Sequence, residues 1–111
     1  MKIVFFAPNV ELYLNNLTEL LYNFGYFSFY DSSERYVTRL IKDIEDQLPY
    51  KSHKQAPKYF EHYGDNLEYA SFKKNNQTTW HVFFNLYLDE FGAEIYVVKY
   101  IGNNHTLAKF I

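Results

Sequence analysis

Cysteine is absent from this 111-residue chain, and glycine and proline are scarce, at four and three residues. Without cysteine there can be no disulfide and no thiolate metal site. That usage matches a reducing compartment, and a cytoplasmic location is expected. Long apolar runs are missing too. The N-terminal run covers only Ile3 to Ala7, too short for a secretory leader or a membrane span, so no membrane association is expected. No glycine-rich phosphate loop occurs, and neither a GxSxG serine nor a cysteine nucleophile is present. No histidine spacing fits a zinc site, so neither a metal nor a cofactor is expected. A strong excess of one charge is also lacking. The net charge is −2, which argues against a simple polyanion binder, because phosphate neutralisation supplies most of the affinity in such proteins. The length suits one domain over 1–111, able to bury roughly two-thirds of its unfolded surface.

What is abundant is aromatic: 12 Tyr, 11 Phe and one Trp, or 22% of residues. Large rings can build a core with tyrosine hydroxyls reaching water, or a stacking surface for bases. Charge is distributed unevenly. Residues 51–74 carry five lysines (Lys51, Lys54, Lys58, Lys73 and Lys74) against three acids. This is the one candidate electropositive patch, although a solvated loop would read the same way.

Lys2 to Ala7 reads as a strand ended by Pro8, with Asn9 placed as a helix N-cap. Val10, Tyr13, Leu14, Leu17, Leu20, Leu21 and Phe24 form a helical stripe, and Gly25 falls where a left-handed C-terminal residue is wanted. Asp31 and Glu34 have capping-box spacing. A second helix follows, with Val37, Leu40, Ile41, Ile44 and Leu48 on one face and Pro49 as its stop. The stretch from Tyr50 to Lys58 reads as a loop, and Tyr59 to Tyr63 as either a strand or a turn of helix. Strands are then expected over 67–74, 78–88 and 95–101, separated by turns at 64–66, 75–77 and 89–92. In the middle one Trp80, Val82, Phe84 and Leu86 share one face, and Thr79, His81, Phe83 and Asn85 the other. The expected fold is α+β in the order β-α-α-β-β-β. A helical hairpin should cover one face of an antiparallel sheet, with the first strand beside a later one.

That order resembles the RelE/ParE toxin superfamily of bacterial toxin–antitoxin systems, in an uncharacterised subgroup. The likeness covers nearly the whole chain. It rests on the order of elements, on Thr79-Trp80-His81-Val82-Phe83-Phe84 as the central strand, and on Ile95-Tyr96-Val97-Val98-Lys99-Tyr100-Ile101 followed by Gly102-Asn103-Asn104-His105. The segments Tyr26-Phe27-Ser28-Phe29 and Pro57-Lys58-Tyr59-Phe60 point to the subgroup. The resemblance implies a cognate antitoxin as partner. It also implies one of two actions: metal-independent, ribosome-dependent cleavage of mRNA, or noncatalytic binding to a protein such as DNA gyrase. A degenerate member without toxicity is a third possibility. Where RelE-type toxins present lysines and arginines, this chain has Glu68-Tyr69-Ala70-Ser71, Thr79-Trp80-His81 and Asn103-Asn104-His105. Where they hold a tail tyrosine it has Phe110-Ile111.

Cleavage of RNA needs a proton carrier and cations around the scissile phosphate. His105, at the polar tip after the last strand, is the expected general acid or base, since histidine titrates near neutral pH. Lys73, Lys74, Lys99 and His81 are the expected companions along a concave sheet face, with Tyr87 as a further contact. Asn103, Asn104, Lys51, Lys54 and Lys58 are the expected nucleic-acid contacts. Each has an ordinary alternative. Asparagines favour turns, a histidine at a tip is often only exposed, and a half-exposed sheet position is the ordinary reading of His81.

Overall fold

The computed structural model describes residues 1–107; the expected tail position Phe110-Ile111 lies outside them. The chain runs through β1 (Lys2–Phe6), α1 (Pro8–Asn23), α2 (Tyr30–Gln47), a 3-10 turn at Leu48–Tyr50 and β2 (Lys54–Gln55). It continues through a 3-10 helix at Lys58–Tyr63, β3 (Glu68–Lys73), β4 (Thr79–Leu88), β5 (Glu94–Asn103) and a single helical turn, α3 (Asn104–Leu107). The five strands form one sheet in the order β1-β5-β4-β3-β2. The class is therefore α+β, with a helical pair packed on a five-stranded sheet.

Several expectations need correcting. The sheet is mixed, not antiparallel throughout, because β1 runs parallel to β5, with Ile3 beside Ile95 and Phe5 beside Val97. A parallel pair requires a long crossover, and the two helices provide it. The stretch expected to be a loop contains β2, whose Lys54 and Gln55 pair with Tyr69 and Glu68. The ambiguous segment ending at Tyr63 is a 3-10 helix. Asn9 is not the cap of α1. Pro8 sits at the first position, where its missing N–H costs nothing, and the Ala7 carbonyl receives the amides of Val10 and Glu11. Asn9 is thereby freed to donate through Nδ2 to the Lys99 carbonyl at 3.0 Å. Asp31 is likewise inside α2 and not its cap, since Phe29 precedes the helix; a carboxylate in the first turn still meets the positive end of the dipole.

The C-terminus of α1 closes as the glycine suggests. Gly25 adopts φ 80°, its amide bonds the Tyr22 carbonyl, and the amide of Tyr26 reaches back to Leu21. This is a Schellman closure. Where α2 begins, the buried Ser33 donates to the Thr18 carbonyl of α1 at 2.7 Å. A small polar residue there lets the helices approach with no orphaned hydroxyl.

The helical stripes meet the sheet as their periods require. Val10, Leu14, Leu17 and Leu21 of α1 and Val37, Leu40 and Ile44 of α2 pack on Ala70, Phe72, Trp80, Val82, Phe84, Tyr96, Val98 and Ile101. The opposite face carries a second cluster. There Phe60, Leu67, Phe83 and Leu107 are buried, with Tyr63, Tyr69 and Tyr100 against them. Phe60 stacks on Phe83 at 4.3 Å and Tyr63 on Tyr100 at 3.9 Å between ring centroids. Adjacent Phe83 and Phe84 are thus both fully buried, one on each face. A bulge lies beside them: Phe83 opposes Tyr100 while Phe84 opposes Val98, leaving Lys99 unmatched.

Leu40 is wholly buried between the helices and the sheet. Leu40→Ala should lower the unfolding free energy by about 2–5 kcal/mol, through lost transfer energy plus the cavity. Urea denaturation measures it, and a loss under about 1 kcal/mol would show that the hairpin does not bear on the sheet as described.

Candidate functional site

Register decides which polar residues meet. On the face away from the helices, β3 presents Tyr69, Ser71 and Lys73, since side chains two apart share a face. Lys54 of β2 lies beside Tyr69, and Ser71 lies beside His81, which in turn lies beside Gly102. Lys51, Ser52, Lys54, Tyr69, Ser71 and His81 together line an open groove of about 540 Å³. No carboxylate lines it. Lys73 continues the same row, exposed, opposite Thr79.

Within the groove His81 is the side chain whose ordinary pKa lies nearest neutral pH. Its Nδ1 stands 2.9 Å from Ser71 Oγ, and the Tyr69 ring meets the imidazole edge-on at 5.9 Å between centroids. Burial lowers its pKa from 6.5, because the protonated ring loses hydration there. The imidazole is therefore neutral near pH 7 and can accept a proton. The Lys51 ammonium lies 4.7 Å from the centre of the Phe72 ring. No ion pair is described for Lys51, Lys54 or Lys73 among the described residues.

His105 lies elsewhere. It is exposed on α3, its Nε2 3.2 Å from Thr78 Oγ1 and its backbone N–H donating to Asn103 Oδ1. With Asn103, Lys74 and Asn75 it forms the polar rim of a groove of about 300 Å³ whose walls are Leu21, Tyr26, Phe27, Tyr36 and Trp80. The Trp80 indole N–H donates to the Tyr36 hydroxyl at 2.7 Å. Burial raises the Tyr36 pKa, so it stays a neutral phenol. Lys74 points to the helices and is ion-paired with Asp43, with only 13% of its side chain exposed.

The expected companions are thus divided. His81 and Lys73 share the open face with Lys54, whereas His105, Lys74 and Asn103 share the helix-side groove; Lys51 lines the open groove, but its ammonium lies against Phe72 of the helix-side cluster. Lys99 occupies the β5 bulge and lines neither groove; Lys58 heads the 3-10 helix and also lines neither. Asn104 is engaged structurally, accepting the Thr79 amide and donating to the Gln77 carbonyl. Tyr87 is half-exposed on the open face, beside Ile95. Sequence reasoning missed Ser52, Ser71 and Tyr69. The alternation of 67–74 does put Ser71 and Tyr69 on one face, but pairing Ser71 with His81 needs the register.

Among the described residues no three His, Asp or Glu side chains stand together as a metal site, and no helix is long and apolar enough to cross a membrane. No known protein family, curated protein or solved structure matches the chain.

The depressed pKa of His81 has a consequence for stability. The unfolded chain binds the proton more tightly than the folded one, so stability is full above about pH 6.5 and falls as pH drops below it. His81→Asn should remove part of this acid sensitivity. Urea midpoints at pH 7.5 and 5.5 should differ less in the variant than in the parent; equal differences would contradict the assignment.

Proposed function

We propose that the chain is the toxin component of a toxin–antitoxin pair, of the RelE/ParE kind, and that it acts on RNA at the open-face groove. The observation that carries this reading is the meeting of a neutral histidine with lysines in a groove lined by no carboxylate. The order of elements and the helical pair on the sheet support the family resemblance.

In this mechanism Lys54 and Lys73 hold the phosphates and the Tyr69 ring takes a base face. Nδ1–H of His81 donates to Ser71 Oγ, leaving the lone pair on Nε2. That nitrogen takes the proton of a ribose 2′-hydroxyl. The 2′-oxygen then bonds to phosphorus and the 5′-oxygen leaves and takes up a proton from water, giving a 2′,3′-cyclic phosphate and a 5′-hydroxyl. The lysines stabilise the charge that builds on phosphorus. The ribosome supplies mRNA as the substrate, and a cognate antitoxin holds the protein silent.

A second reading is favoured by the other groove. Its aromatic walls and its neutralised Lys74 suit a protein ligand better than a phosphate, as expected of a noncatalytic module acting on a target such as DNA gyrase.

Induced expression in a bacterial host separates the two. The first reading expects growth arrest with mRNA cut at ribosomes. His81→Ala should lower cleavage by about 10²–10⁴-fold, the usual worth of a general base, and His105→Ala should leave it unchanged. Arrest with intact mRNA would favour the binding module. Loss of cleavage in His105→Ala alone would move the proton carrier to the helix-side groove, and absence of arrest would contradict both readings.

A further inference from the structure

We infer that the protein pairs with a second copy of itself through β1, the two strands lying antiparallel across a two-fold axis and joining two five-stranded sheets into one. β1 is an edge strand: β5 covers one side of it, and among the described residues no strand covers the other. The inward bonds run from odd-numbered residues. The Met1 carbonyl receives the amide of Glu94, and the amide of Ala7 reaches the Val98 carbonyl. The amides and carbonyls of Lys2, Val4 and Phe6 consequently face outward, since backbone groups alternate along a strand.

Soluble proteins protect such edges with charge, proline, bulges or a covering loop. Here Val4 and its neighbours carry no charge, proline or bulge, and the 3-10 turn Leu48–Tyr50 meets the strand at its start, where the Lys2 ammonium lies 5.9 Å from the centre of the Tyr50 ring. The one charge on the strand, Lys2, lies at its end and is ion-paired with Glu94 of the same chain. The open face beside the edge is apolar. Ile3 is 40% and Phe5 54% exposed, and Tyr87 on β4 is 50% exposed. Ile3, Ile95 and Tyr87 lie side by side across β1, β5 and β4.

A second copy fits this edge by its own symmetry. With Val4 opposite its counterpart, Lys2 lies opposite the other copy's Phe6, and Ile3 opposite its Phe5. The outward amides and carbonyls of Lys2, Val4 and Phe6 then find each other, as in any antiparallel ladder. Ile3 and Phe5 form non-hydrogen-bonded pairs, where side chains approach most closely. The apolar row Tyr87-Ile95-Ile3 is continued by Phe5 and Val97 of the second copy. No like charges are brought together, because the only ionised residue of each strand faces a phenylalanine.

Sedimentation equilibrium of the full chain from micromolar to millimolar concentration tests the proposal, with circular dichroism confirming that each variant is folded. The mass should rise to twice the monomer mass as concentration increases. Val4→Pro removes an outward-facing amide while keeping an apolar side chain toward the core cluster, and should leave a folded monomer, since proline is tolerated on an edge. Phe5→Glu, at an exposed position, should also be monomeric. Adding Ile3→Lys to Phe5→Glu sets opposite charges across the axis and should restore the doubled mass in low salt. A parent that stays monomeric throughout would overturn the proposal, as would a dimer that survives both single variants. Failure of the double variant to recover would overturn the antiparallel register.

Discussion

The two-sided burial of β4 is the constraint on which the remaining structure depends. A sheet covered by helices on one face could leave the other to water, and its central strand would then alternate apolar and polar residues. β4 does not. Trp80, Val82 and Phe84 meet the helices, while Phe83 is buried beneath Phe60. The second cluster ties the 3-10 helix to the sheet, so the chain between α2 and β3 crosses back to the far edge and forms β2. That return brings Lys51, Ser52 and Lys54 beside Tyr69, Ser71 and His81. The groove is a consequence of burying an aromatic ring on the face that the helices do not reach.

The same arrangement explains how the two candidate histidines differ. His81 sits within the sheet, half-buried beside Tyr69 and Ser71, and burial lowers its proton affinity. His105 follows the last strand, exposed, on a turn held by the Asn103 and Asn104 side chains. Both are histidines near a strand end, yet only His81 lies among lysines that are not already paired with a carboxylate. Lys74 shows why counting basic residues is insufficient: one residue beyond Lys73 it turns to the other side of the sheet and is held by Asp43.

Much of the fold was legible in the sequence because it is written in periodicity. The leucine stripes of α1 and α2, the stop at Pro49, the left-handed Gly25 and the alternation of β3 and β4 each follow from local rules. What local rules omit is pairing. Nothing in Lys54-Gln55 announces a strand, since two residues show no period; they become one only because β3 offers an edge. The parallel placement of β1 and the bulge at Lys99 depend on partners distant in the chain. The candidate site suffered for the same reason. His81, Lys51, Lys54 and Lys73 were each visible as residue types, but their union and the separation of His105 from them are products of register.

The central claim is that RNA is met at the open face. Amide chemical-shift mapping with a short single-stranded RNA, made uncleavable by 2′-O-methyl substitution at every nucleotide, tests it most directly. The account expects the largest shifts at Ser52, Lys54, Tyr69, Ser71 and His81, fading as salt is raised. Shifts confined to Tyr26, Thr78 and His105, or none at all, would contradict it.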